Sequence, residues 1–468
     1  MKKILLTIAI VLTGCSGNSK NHVDIEYRLS YDAADPHIHV SMKCQPTADS
    51  LTFVFGNPEF GGQTDIYNCF QHLQVNGAAF KHDETSRTVT VYPNGKSLMH
   101  LEYDVVDDGS KGQFQRELFR PVLKHDYLYA PTLSLFLIPR DYKTTVSVTW
   151  EENEPFGIFS YFDPNLKEGN TFYGTIADLG MSLCVGGSGV SMQTCKAGNA
   201  DGYLITQLDE DRRFNQQIIK DFFVNYFVTI RDFWQDDAPE DYSLAVLPFL
   251  EEGITHAVGG IGYEKGFCAK YFVQSDTVLN ETNMFTIAHE IGHHWLGGSL
   301  SLGIEHQWFM EGFNDYQTYC NLRRCGIMSE DWYKRRFNQL FKDYYTSEIS
   351  TLPNDKVWEN YWTMGDYNKL PYRRGCLFAF FLDGQIQQAS SGQKGFRELM
   401  IALKRTSENQ KQLNLDDFIH VLSSFIPENA ARGYIKDYII DGQMIDFSDC
   451  PLPNNAKIVY QGQVPMME

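Results

Sequence analysis

The segment TIAHEIGHHWLGG, from Thr286 to Gly298, packs three histidines and a glutamate into six positions. On an α-helix, residues four apart differ by about 40° around the axis and lie one turn above the other. His289 and His293 can therefore present imidazole nitrogens to one ion. Glu290, about 100° round from His289, can reach a water on that ion without ligating it. That is the equipment of a metal-assisted hydrolase. His294 points off this face and is expected to pack or to orient its neighbours. Catalytic zinc takes three protein ligands and keeps one position for water. Two downstream carboxylates, Glu305 and Glu311, are available for the third place. Glu311 lies in WFMEGFNDYQTY, a helical stretch that puts Asp315 one turn on, on the same face. Asp315 is either a partner that orients a histidine ligand or a solvated helix carboxylate.

These residues need a scaffold, and the chain is long enough to build one. It has 468 residues, 43% hydrophobic and 21% charged, which excludes disordered and collagen-like classes. From Val23 to about Trp150 apolar residues alternate, as in Ile25, Tyr27, Leu29 and Tyr31, or Met99, Leu101, Tyr103 and Val105. Turn signals such as Asn94–Gly95 separate these runs, so an antiparallel β-sandwich is expected. Residues 155 to 210 are glycine-rich. A long amphipathic helix is predicted over Arg212 to Asp236, then a buried strand, YSLAVLPFL. The helix carrying His289 is predicted to continue to Leu296, stopped by Gly297–Gly298. Helical patterns dominate from Trp308 to about residue 445. The expected fold is α+β and multidomain. Its boundaries are 1–14 signal peptide, 15–22 linker, 23–155 β domain, 156–345 thermolysin-like catalytic domain and 346–468 helical domain.

At HEIGHHW followed by WFMEGFNDY the sequence resembles the gluzincin aminopeptidase clan. In that clan the H-E-x-x-H helix is completed by the glutamate of a W-x-x-E-G-F segment. The resemblance implies one Zn²⁺ per chain held by His289, His293 and Glu311, with Glu290 as general base. LPYRRGCL, from Leu370, resembles the clan's P-Y-x-K-G-x-L segment and implies that Tyr372 donates a hydrogen bond to the oxyanion. The continuation, through GFRELMIALKR and LNLDDFIHVL, is most similar to the glycyl aminopeptidase family. Seventeen residues separate His293 from Glu311, one fewer than the commonest spacing, and a further departure bears on substrate recognition. The clan carries a G-G-x-E segment whose glutamate binds the substrate's free amine. Here HAVGGIGYEKGF supplies Gly259 and Gly260, but Gly262 stands at the anchor position and Glu264 lies two further on. Two positions along a strand keep the same face at a shift of roughly 6–7 Å. Hydrolysis of peptides is therefore implied more firmly than recognition of a free N-terminus. The alternative from another class is an inactive, zinc-holding surface or scaffold protein.

MKKILLTIAIVLTGCSGNSK has a charged start, a short apolar run and an LTGC box. It resembles a bacterial lipoprotein signal, which implies cleavage before Cys15 and acylation there. The expected location is the cell envelope, tethered by lipid, and Ser16 favours the outer membrane by similarity to sorting rules. Net charge is −19, deepened by two when Lys2 and Lys3 are removed, and no basic cluster suggests nucleic acid as partner. Nine further cysteines include no Cys-x-x-Cys pair. Cys184–Cys195 and Cys320–Cys325 are the nearest candidates for a disulfide, and none is required.

Overall fold

A computed structural model describes residues 23–468 except 47, 56–64, 94, 96–97, 110–115, 142, 152–155, 166–170, 209–214, 251–258, 273–278, 364, 409–411 and 449. The signal segment with Cys15 and Ser16, the Asn94 of the expected turn, Arg212 and His256 lie outside the described residues.

The alternating N-terminal runs form two sheets over one apolar core that includes Tyr27, Val40, Phe53, Val91, Leu101 and Val148. The larger has six strands, in the order Thr171–Thr175, Thr145–Trp150, Ile25–Asp32, His37–Cys44, Met99–Val106 and Phe70–Asn76. Strand Ile25–Asp32 shows the period-two signature in full, every second residue buried. Its pairing with Thr145–Trp150 is parallel, where an all-antiparallel arrangement was expected. The pairing joins two segments far apart in sequence, which alternation alone cannot register.

A third, four-stranded sheet leads into a five-stranded mixed sheet. The order of the latter is Val190–Ala197, Ala200–Gln207, Tyr242–Phe249, Gly266–Phe272 and Gly259–Tyr263. Tyr242–Phe249 is the expected buried strand, with all eight residues covered. Gly259–Tyr263 is one edge and Val190–Ala197 the other. The two regions are pinned together by a buried ion pair. Glu117 accepts from Lys270 Nζ at 3.2 Å and from the Leu250 amide, and Lys270 sits 4.1 Å over the Tyr129 ring.

Helix Gln216–Trp234 packs its apolar stripe against the mixed sheet. One continuous core then runs from Ala197 to Met467, through the helices that follow. These are Glu281–Gly292, Asn314–Arg324, Glu330–Tyr345, Asp366–Ala389 and shorter ones to Tyr434. A hairpin, Ile458–Gln461 with Val464–Met467, follows and was not anticipated. Its turn at Gly462, with φ at +67°, is a signal that the sequence did contain. Thus a multi-sheet β region, a mixed α/β middle and a helical C-terminal region follow one another. All nine described cysteines are free, including both candidate pairs. No helix among the described residues is long and apolar enough to cross a membrane.

Candidate metal centre

Helix Glu281–Gly292 is started by Asn280, whose side-chain oxygen accepts from the Asn283 amide at 2.9 Å. It ends at Gly292, earlier than the predicted stop at Gly297–Gly298. His293 to Trp295 continue in a tighter turn, each amide bonding the carbonyl three residues back. The early end has a local cause. A Cβ at Gly292 would lie 2.0 Å from Asn314 Oδ1, so only glycine lets helix Asn314–Arg324 press this close. Asn314 Nδ2 donates to the His289 carbonyl at 2.8 Å, and Gln317 Nε2 to the Gly292 carbonyl at 3.4 Å. His293, at the helix end, still falls one turn below His289.

Their ring nitrogens divide the work. His289 Nδ1–H donates to Asp315 Oδ1 at 2.8 Å, and His293 Nδ1–H donates to the Leu296 carbonyl at 2.9 Å. Since carboxylate and carbonyl only accept, each imidazole in its neutral form carries its proton on Nδ1 and turns its Nε2 lone pair inward. The two Nε2 atoms are 3.1 Å apart, and Glu311 Oε2 is 3.2 Å from one and 3.3 Å from the other. Three acceptors at such range repel unless a cation lies among them. Ligands about 2.0–2.1 Å from a tetrahedral zinc stand about 3.3 Å apart, so the donor set fits that ion in type and spacing. His289, His293 and Glu311 are the one such group among the described residues. The electrostatics show that the site favours positive charge, whether carried by protons on the imidazoles or by a metal ion. Burial opposes charge on all three, yet the neighbouring histidines hold Glu311 far below the usual carboxylate range. Both imidazoles rise despite burial, His289 through Asp315 and Glu311, His293 through Glu311.

Glu311 lies on a π-helical turn, Trp308–Phe313, leading into helix Asn314–Arg324, rather than on regular helix as expected. Single π-turns inside helices re-aim side chains and often mark functional positions. Tyr372 comes from helix Asp366–Ala389, which crosses this turn at two glycines. A Cβ on Gly375 would meet the Trp308 carbonyl oxygen at 1.9 Å, and one on Gly312 would meet Gly375 Cα at 2.4 Å. The Tyr372 ring stacks on His289 with centroids 6.0 Å apart and lies near Glu311 and Tyr361. Burial, then the charge of Glu311, pushes Tyr372 far above the ordinary tyrosine range, so it keeps its proton to donate.

On the open side, a Cβ at Gly262 would point at Glu290 Oε2, 4.0 Å away, with no closer atom. Gly262 thus leaves a gap in front of Glu290. The neighbouring glycines serve packing instead. A Cβ would be 2.8 Å from Phe249 at Gly259 and 2.1 Å from Phe267 at Gly260. Glu264 sits beyond the strand in a turn, raised by burial and facing Lys265, Asp178 and Glu240. His294 also stands apart, packed on Trp295 and Tyr242 and 3.7 Å from Glu240, its pKa lowered by burial. Glu305 is half-exposed beside His306. The structure therefore gathers His289, His293, Glu311, Asp315, Glu290, Tyr372 and Gly262. It leaves His294, Glu305 and Glu264 outside. Asn314, Gln317 and Tyr361 were missed. The first two lie three apart on the helix that carries Asp315, share a face with each other, and could have been read from that spacing, whereas no sequence signal marks Tyr361.

Two predictions arise here. Asp315→Asn is expected to weaken zinc affinity about 10–100-fold, measured by competition with a chromophoric chelator, because the Nδ1 proton loses its charged acceptor. Unchanged affinity would leave Asp315 with no orienting role. Gly375→Ala is expected to lower stability by roughly 1–3 kcal/mol in thermal or denaturant unfolding, since helix and π-turn must separate. Wild-type stability would show the crossing to be soft.

No protein-family model and no curated protein matches this chain. Solved structures do. An aminopeptidase N family protein from Idiomarina loihiensis superposes with TM-score 0.72 at 14% identity, covering 90% of this chain and 77% of its own. The M1 zinc metallopeptidase of Deinococcus radiodurans gives 0.52 at 14%, covering 92% and 96%. Native yeast LTA4 hydrolase gives 0.51 at 15%, covering 91% and 68%. The chain has the fold of the M1 zinc metallopeptidases.

Proposed function

We propose that this chain is a zinc-dependent peptidase. The observation that carries the reading is the convergence of two inward-facing Nε2 atoms and one carboxylate oxygen, flanked by Glu290 and Tyr372. Zinc, when bound by His289, His293 and Glu311, supplies polarisation of the scissile carbonyl and a water of lowered pKa. Glu290 takes the proton of the attacking water and passes it to the leaving amine. The Tyr372 hydroxyl donates to the oxygen that becomes negative as the carbonyl carbon turns tetrahedral. Asp315 and the Leu296 carbonyl hold the two imidazoles in the tautomer that ligates.

The gap at Gly262 favours a site that does not require a free amine. A peptide mixture, half with free and half with acetylated N-termini, tests this when incubated with zinc-loaded protein and analysed by mass. Cleavage of acetylated peptides, or internal cleavage, is the expected result. Release of single residues from free peptides only would mean that another group binds the amine. No cleavage with zinc bound would favour the second reading, a zinc-holding scaffold protein, for which Gly262 also speaks. We further propose that Cys15 is acylated and the protein anchored in the bacterial envelope. The mass of the mature N-terminal peptide tests that reading.

A further inference from the structure

Tryptophan is the costliest side chain to leave in water, and the chain hides most of its seven. Trp150, Trp234, Trp295, Trp308 and Trp332 are exposed by 3% or less. Trp362 is 71% exposed, the most of any large apolar residue described. It stands on a short turn, Tyr361–Thr363, next to helix Asn354–Glu359. Its ring lies 5.0 Å from Tyr361 and 6.3 Å from Trp358, and those two are 5.7 Å apart. The turn is fixed from both sides. Asn360 donates through its amide to the Val357 carbonyl and through its side chain to the Lys356 carbonyl, and the Thr363 amide donates to the Asn360 carbonyl. A held, exposed aromatic surface has already lost the freedom that binding would otherwise cost.

The position of this surface says what it is for. Tyr361 is buried and close enough to Tyr372 to interact with it electrostatically, and Tyr372 stacks on His289. Two tyrosines thus link the exposed indole to a metal ligand. Its exposed neighbours in sequence include the charged Asp355, Lys356, Glu359 and Asp366. One exposed indole is too small for a stable protein interface, which takes about 800 Å² from each partner. It suits a single side chain of a ligand already held at the metal centre.

We propose that Trp358, Tyr361 and Trp362 form a platform that receives one large apolar side chain, aromatic above all, of the peptide substrate. The proposal rests on the peptidase reading for the identity of the ligand. It concerns binding, so it can be tested apart from turnover. Zinc-loaded protein carrying Glu290→Gln would be titrated calorimetrically with acetylated pentapeptides of glycine in which phenylalanine occupies each position in turn. One position is expected to improve affinity about tenfold over the all-glycine peptide. Adding Trp362→Ala should remove that gain and leave the all-glycine affinity unchanged, while Trp362→Tyr should keep most of it. Equal binding of all peptides would overturn the platform. So would a Trp362→Ala variant that weakens every peptide alike. The same peptides given to the wild-type protein separate the two claims. Selective, Trp362-dependent binding without any turnover would uphold the platform and remove the hydrolytic reading.

Discussion

Glu290→Gln is expected to lower kcat/KM by about 10³-fold while zinc content stays at one per chain. The amide keeps the size and hydrogen-bonding reach of the side chain but cannot take a proton. The ligand set is untouched, because His289 and His293 take their orientation from Asp315 and Leu296 rather than from Glu290. Two measurements on one preparation decide it: metal analysis, and turnover of whichever peptide the mixture experiment yields. Activity within tenfold of wild type would remove Glu290 as the base. A fall in activity accompanied by loss of zinc would make Glu290 a structural residue of the centre.

Tyr372→Phe is the second large effect expected, a loss of about 10²–10³ in kcat with KM little changed. The hydroxyl is needed where charge develops, and a ground-state carbonyl gains little from it. The ring remains, so its stacking on His289 and the fold should survive. The split between kcat and KM is the informative quantity. If KM rises and kcat holds, Tyr372 positions substrate instead. If neither moves, the tyrosine is packing for the His289 ring.

Much of the centre could be read before any coordinates, because its chemistry is local. A four-residue spacing on a helix is enough to pair His289 with His293, and Asp315 follows Glu311 by the same interval. The period-two runs of the N-terminal region likewise announced strands. What could not be read depends on contacts between distant segments. The helix end at Gly292 is dictated by Asn314 pressing on it, a neighbour supplied by a later helix, so a glycine pair further on looked like the better stop. The parallel pairing of Ile25–Asp32 with Thr145–Trp150 has no signature in either strand alone. The π-turn at Glu311 depends on its crossing with the helix of Tyr372, where glycines from two segments coincide. Tyr361 was invisible for the same reason: its role exists only once Tyr372 is beside it.

That crossing has a consequence for the newly made chain. The ligands and the base all come from residues 289–311, a short loop to close, whereas Tyr372 arrives on a helix made much later. Because the π-turn that aims Glu311 is shaped at the crossing with that later helix, the third candidate ligand and the tyrosine hydroxyl are set in place by one contact, made only after both segments are in the chain.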